Sequence, residues 1–463
     1  MNVTHIQEKI RERDYLYEKS LVSLTELLSE NIKLRYSYRE WEIILHFFLA
    51  HWFIPQFMVW NREKSPNKSI HDQTAHRNFP TRDNFEHQNL LQNHPNISPF
   101  VNYNIFEKKP QKSSISTKQK INSWHASYAN AIRQEIRTKI TKGHGVGTGL
   151  IELEAWSDIW GQKDIRLSLL PGLPRPPKPD INVSLRSQIA RLGKVGPSDI
   201  PEGFFESLAM SLPTDLLEDL PTYHHIAVEC FRELQPAFIQ SSLLTNPLGR
   251  FLTAYCVHQG VPFFHNQHGG GYGEPWHFTS DIEARISDHF ISWDWSCVEK
   301  GVKPGPCGRL RALESSYKKT VKSQEGILII GAHNAPHLPT GLQTISGDDY
   351  SPNNIIEYCW NLPKEARRKI KYRFRRQHGY LSSHESVIKT NMPPEITYDY
   401  QEESIHIAYA RAERVLIERP FTTSEYECRF LGVPYTLMKK PPKELKNLRT
   451  NQDSLWRNNH KLV

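Results

Sequence analysis

Apolar residues recur at helical spacing through the first sixty positions and then gather into short runs punctuated by glycine and proline. Leu21, Leu24, Leu27 and Leu28 share one helical face. Trp41, Ile44, Leu45, Phe48, Leu49, Trp52 and Phe53 follow at i, i+3, i+4 steps between Tyr38 and Phe57. This aromatic stripe predicts the core of an N-terminal helical segment over residues 1–60. The most apolar run, Leu45–Trp60, contains His46, His51, Pro55 and Gln56. It falls short of the ~20 apolar residues of a spanning helix and reads as a buried one.

From 61 to 120 Asn, His, Ser, Lys and Pro dominate and no period persists, which predicts a polar, partly disordered insertion reaching to about residue 145. Within its second half, residues 121–142 read as a basic helix. The glycines of Gly143–Gly149 follow no strand and precede no Gly-Lys-Thr/Ser, so they are expected to form a flexible joint rather than a nucleotide loop. Pro171–Pro179 should run extended.

Beyond residue 200 the pattern sharpens into α/β units. Helices are expected at 202–211 and 221–234, a strand at 236–240, a helix from Asn246-Pro247 to His258 stopped by Gly260, and strands at 261–264 and 290–293. Strand, helix, strand in this order builds a parallel sheet. Residues 298–324, rich in Pro, Gly and charge, read as an interdomain linker. A second α/β unit then opens with the strand Gly326–Ile330, ending at Gly331 and His333. It continues with a helix at 353–368 kinked near Leu362-Pro363, a strand at 371–375, a helix at 400–412 and a strand at 414–418. Thr422-Thr423, a helix at 424–431, Gly432-Val433-Pro434 and a strand at 435–438 complete it. The expected lobes are 146–315 and 324–463.

Composition narrows the function classes. The chain has 463 residues, a hydrophobic fraction of 38% and a net charge of +8; mean hydropathy is −0.58 and the pI about 9.0. The excess of cations attracts anions, whether nucleic acid, a membrane surface or phosphorylated small molecules. The aromatics follow core-like patterns rather than interleaving with basic residues, which disfavours nucleic acid. The six cysteines form no CxxC pair and no zinc spacing, and they read as scattered thiols of a reducing compartment. The opening residues lack the apolar core of a signal peptide, so the expected location is cytoplasmic, with peripheral contact to the inner membrane left open.

Candidate chemistry collects at strand ends. Phe263-Phe264-His265-Asn266 runs into Gln267-His268-Gly269-Gly270-Gly271-Tyr272-Gly273. Consecutive glycines turn the backbone sharply and turn N–H groups toward an anion, and a histidine at the lip serves as acid or base. The alternative is a tight turn capped by His268. His333 stands at a second strand end. Thr422, Thr423 and Ser424 open a helix whose N-terminus suits a diphosphate, with simple N-capping as the alternative. Arg373 and Arg375 alternate on one strand face and either bind phosphate or stay solvated. No Asp-x-Asp, Gly-x-Ser-x-Gly or zinc signature appears, and Asp348-Asp349 lies in a Gly-Ser loop. No metal and no cofactor are expected.

Two regions carry a resemblance. The Thr-Thr–helix–Gly-Val-Pro order resembles the nucleotide-binding half of GT-B-type transferases, and the Gln267-His268-Gly269 loop resembles that of CDP-glycerol glycerophosphotransferases and capsule glycosyltransferases. Tyr38–Leu45, Trp60-Asn61-Arg62, the 267–273 block, Glu283, Ser287–Phe290 and Ser292–Trp295 together resemble a family of bacterial surface-carbohydrate transferases of O-antigen and capsule type. Asp294 departs from that family's glycine, and the end at Val463 implies a shortened second lobe.

The resemblance implies two Rossmann-like, GT-B-like lobes with a helical N-terminal elaboration. It implies metal-independent transfer of a sugar from a nucleotide donor to a glycan or lipid-linked acceptor, with transfer of a polyol phosphate as the alternative. A non-enzymatic basic scaffold is the third reading. In the implied site His268 is the acceptor-side base, His333 faces it, and Glu283 either orients one of them or sits on the surface. Gln267, Gly269, Gly270, Gly271, Arg373, Arg375, Thr422, Thr423 and Ser424 meet the phosphates, and Glu427 holds a ribose hydroxyl.

Overall fold

A computed structural model describes residues 3–54, 57–58, 144–148, 156, 167–169, 181–195, 200–272, 278–293, 302–320, 322–323, 325–331, 353–374, 383–418 and 422–438. The proline-rich run, the basic helix at 121–142 and nearly all of the polar insertion lie outside these residues. The chain forms two compact units. Unit 1 comprises Met1–Asn266 and Asp281–Phe290, and unit 2 comprises Gln267–Ser280 and Ile291–Val463. The sequence-based lobe boundary near 315–324 therefore differs from the observed division, which assigns the histidine–glycine loop to unit 2.

Unit 1 opens with helices α1 (Val3–Ile32) and α2 (Tyr38–Phe48), the latter running into a π-helical turn at Leu49–Phe53. A capping box of Ser37 and Glu40 starts α2. Trp41, Ile44, Leu45, Leu49 and Phe53 are fully buried, as the aromatic stripe predicts, and Phe57 and Met58 are buried beyond them. Among the described residues, no helix is long and apolar enough to cross a membrane.

Strands β1 (Gly145–Gly147) and β2 (Leu167–Leu169) follow, then helices α3 (Val183–Val195), α4 (Phe204–Ser211) and α5 (Leu220–Leu234). Next come β3 (Phe238–Ser241), α6 (Pro247–His258), β4 (Phe263–Asn266), α7 (Phe278–Ile286) and β5 (His289–Ser292). Asn246 caps α6 by accepting from the Gly249 N–H at 3.4 Å, with Pro247 at the position where a missing N–H costs nothing.

With β6 (Val302–Pro304), these strands give the order β2-β1-β3-β4-β5-β6. The β2–β1, β1–β3 and β3–β4 pairs are parallel, with Ile239 opposite Phe263 and Ser241 opposite His265. The expectation of a flexible joint at 143–149 is overturned: β1 is a buried strand between β2 and β3. Gly145 serves packing, since a Cβ there would fall 2.0 Å from the Phe238 ring.

Polar groups tie the helices of unit 1 together. Tyr17 donates to Glu42 at 2.9 Å and Arg285 pairs with the same carboxylate, joining α1, α2 and α7. Burial raises the Glu42 pKa against the pull of Arg285 and Tyr17. Asp215 pairs with Arg250 of α6.

Asp219, at the start of α5, is pushed up to about 7 by burial first and Asp215 second. Because the folded state keeps this proton longer than the unfolded chain, its stabilisation is full below pH 3.8 and lost as pH rises through about 7. Asp219→Asn is expected to flatten that decline and raise stability at neutral pH, as urea unfolding at about pH 5 and about pH 8 will measure.

Strand β6, at the edge of the first sheet, and helix α8 (Gly308–Lys318) occupy most of the described part of residues 298–324, which is therefore not the expected linker. Cys307 caps α8 by accepting from the Leu310 N–H, a start signal that the surrounding proline and glycine obscure. Then come β7 (Ile327–Ile330), α9 (Asn353–Trp360), α10 (Lys364–Arg367) and β8 (Ile370–Arg373). Pro363 separates α9 from α10, where the sequence predicts one kinked helix. Helix α11 (Ser383–Asn391), β9 (Thr397–Asp399), α12 (Ile405–Arg411), β10 (Arg414–Ile417), α13 (Thr423–Leu431) and β11 (Tyr435–Leu437) complete unit 2.

The second sheet has the order β11-β10-β7-β8-β9 and all its pairs are parallel. Order reverses between β7 and β10, the switch point beside which open α/β sheets bind ligands at their carboxyl ends. One face of the sheet buries Leu328, Tyr409, Val415, Ile417 and Cys428, and the other buries Ile329, Ile355, Ile370, Tyr372 and Leu416.

Candidate active site

In unit 2 the loop that follows β4 meets the helix that follows β10. The Gly270 N–H donates to Thr423 Oγ1 at 3.1 Å. The approach is also close beside it, since a Cβ on Gly269 would lie 3.3 Å from the same hydroxyl and would push it by a few tenths of an ångström. Gly271 has φ +85°, the left-handed conformation that favours glycine. The Thr422 hydroxyl accepts from the Glu425 N–H at 3.4 Å, so it is the N-cap of α13. The two threonines therefore divide the labour: one closes the helix end and the other holds the glycine loop. Ser424 follows, half-buried, in the first turn.

Gln267 is the strut of the loop. It is 3% exposed. Its Nε2 donates to the Gly269 carbonyl at 2.7 Å, its Oε1 accepts from the Trp293 N–H at 2.9 Å, and its own N–H donates to the Ile291 carbonyl at 2.9 Å. Trp293 packs edge-on against Tyr426 of α13, with ring centres 5.6 Å apart, and Cys307 and Leu310 complete that cluster. The expectation that Gln267 meets phosphate thus falls on an amide already bonded on both atoms.

His268 is half-buried, and its Nδ1 lies 2.5 Å from the hydroxyl of Tyr272, a residue 2% exposed. The rings meet edge to face at 5.4 Å and 88°. This contact fixes the imidazole plane. When Nδ1–H donates to the phenol oxygen, the lone pair stands on Nε2, the arrangement a base requires. Tyr272 went unassigned by sequence reasoning, although it stands four residues on in the same block.

The remaining candidates resolve differently. Both oxygens of Glu427 are engaged, Oε1 by Arg309 at 3.1 Å and Oε2 by the Tyr409 hydroxyl at 2.8 Å. Arg373 is 6% exposed, pairs with Asp399 at 2.5 Å and donates to the Glu403 carbonyl at 2.7 Å, which corrects the reading of a solvated face. Its charge is already balanced. His333 and Arg375 lie outside the described residues.

In unit 1, Glu283 is fully buried, correcting the surface reading, and stands 3.2 Å from His265 Nε2. That histidine is on β4, and the sequence reading did not single it out. A polar residue on an amphipathic helix gives no sign of which buried partner turns it inward. Among the described residues, no group of three or more His, Cys, Asp or Glu side chains is placed to hold a metal ion.

No curated protein matches the sequence. Among solved structures, UDP-N-acetylglucosamine 2-epimerase from Rickettsia bellii is similar, at 12% identity and TM-score 0.38, over 70% of this chain and 90% of that one. MurG from Acinetobacter baumannii is similar at 12% identity and TM-score 0.32, over 68% of this chain and 83% of that one. Residues 2–436 match the model of the LIC12162 family transferase, and the chain belongs to that family.

Proposed function

We propose that this transferase moves a sugar from a nucleotide donor to a hydroxyl of a surface-polysaccharide acceptor by a metal-independent, GT-B-type mechanism. The observation that carries the reading is the Gly270–Thr423 hydrogen bond, which joins the histidine loop to a helix N-terminus within one unit. The acceptor oxygen forms the new bond to the sugar carbon as the bond from that carbon to the donor phosphate breaks. His268 takes the acceptor proton, and Tyr272 holds its ring.

The leaving diphosphate collects at the start of α13, where the helix dipole favours negative charge by roughly 0.3–1 kcal/mol. Ser424 and the glycine loop contribute donors there. The helix end and these donors supply the neutralisation that a metal supplies elsewhere.

Isothermal titration of the full chain with UDP, GDP, CDP and ADP tests the reading. Binding of at least one diphosphate, and weaker binding of its monophosphate, is expected. A folded sample that binds none would remove it. The resemblance of the Gln267-His268-Gly269 loop to the CDP-glycerol enzymes favours a second reading, transfer of a polyol phosphate, and exclusive binding of CDP would select it.

A further inference from the structure

We propose that Asn266 is the hydrogen-bonding residue of a subsite for a neutral, hydroxyl-bearing acceptor at the carboxyl end of the unit 1 sheet. The inference rests on the transfer reading above and names the class of its acceptor. Two amides are neighbours in the chain and differ in their bonding. Gln267 uses both of its side-chain polar atoms to hold the loop. Asn266 is 3% exposed, and among the described residues neither its Oδ1 nor its Nδ2 has a hydrogen-bond partner. A primary amide brings two donors and an acceptor, and buried groups of this kind are nearly always satisfied. An amide held this way opposes folding unless something meets it.

Position supports a ligand. Asn266 is the last residue of β4, at the sheet end where open α/β folds bind. The register pairs Gln240 with Phe264, so Phe264 and Asn266 share a face with Gln240 and, past the end of β3, Ser242. On the opposite face His265 is closed in by the rings of Phe263 and Phe290 and by Glu283. On the face of Asn266, Phe264 is half-buried and stacks on the exposed His289. The chemistry selects the ligand class: a neutral amide that donates and accepts matches sugar hydroxyls or an acetamido group. A phosphate or carboxylate is better met by a cation or a run of N–H groups.

The test uses the full chain, saturation-transfer NMR and titration with N-acetylglucosamine, galactose, rhamnose and glycerol. The wild type is expected to bind at least one of these probes, and Asn266→Ala to weaken that binding at least about tenfold. The melting temperature of the variant is expected to stay level or rise, because no intramolecular bond is lost; Asn266→Ser serves as a second variant should alanine fold poorly. Sugar binding unchanged in both variants overturns the proposal, as does a wild type that binds no probe. A wild type that binds a nucleotide but no sugar removes the subsite and leaves the transfer reading standing. One that binds sugar through Asn266 but no nucleotide removes the transfer reading instead.

Discussion

His268→Ala is expected to lower the rate of sugar transfer by roughly 10²–10⁴-fold at saturating donor, the range that a positioned acid or base contributes. Nucleotide affinity, measured by titration, should remain within about twofold, because in the proposed mechanism the imidazole acts on the acceptor hydroxyl, and Nδ1 is engaged with Tyr272. Tyr272→Phe should give a smaller loss, since it removes the hydrogen bond to Nδ1 without removing the base. Single-turnover release of nucleotide from the donor, with acceptor present, is the measurement. A variant with wild-type turnover would take His268 out of the mechanism.

Arg250→Met is expected to destabilise unit 1 by about 3–5 kcal/mol, the range for breaking a buried ion pair on one side. Arg250 is 1% exposed and its partner Asp215 is nearly as buried, so the variant leaves a carboxylate desolvated beside the carboxyl of Asp219. A loss of that size is a large part of the stability of an ordinary domain. Asp215→Asn combined with Arg250→Met should recover much of it, because the stranded charge is gone. Urea unfolding of both variants measures the difference, and equal losses in the single and double variants would show that packing, not charge, sets the cost.

Much of this was legible in the sequence, for reasons that differ by residue. The β4 run, the glycines after it and the Thr422-Thr423 helix start are local signals, and all fall within a residue or two of their expected bounds. Strand β1 escaped notice because Gly-Val-Gly has no strand propensity of its own. What makes it a strand is the Phe238 ring lying over Gly145, a tertiary fact. Helix α8 was hidden by its proline- and glycine-rich approach, and α11 and β9 by short, polar sequences without a persistent period. The burial of Glu283, Arg373 and Glu427 has no sequence signature, because the groups they meet, among them His265, Asp399 and Tyr409, come from other elements. The same holds for Gln267, whose amide reads as a ligand group until Trp293 is seen to take it.

The chain passes between the two units at Asn266–Gln267, at Ser280–Asp281 and again at Phe290–Ile291. Neither half is therefore a cassette that evolution or an engineer can lift out with one cut. A fragment beginning at Ile291 would leave behind the loop to which Thr423 is hydrogen-bonded, and one ending at Asn266 would forfeit Glu283 and the helix that carries it. Swapping donor preference among related proteins by exchanging whole halves would need at least a double graft, with Gln267–Ser280 travelling alongside the remainder of its unit.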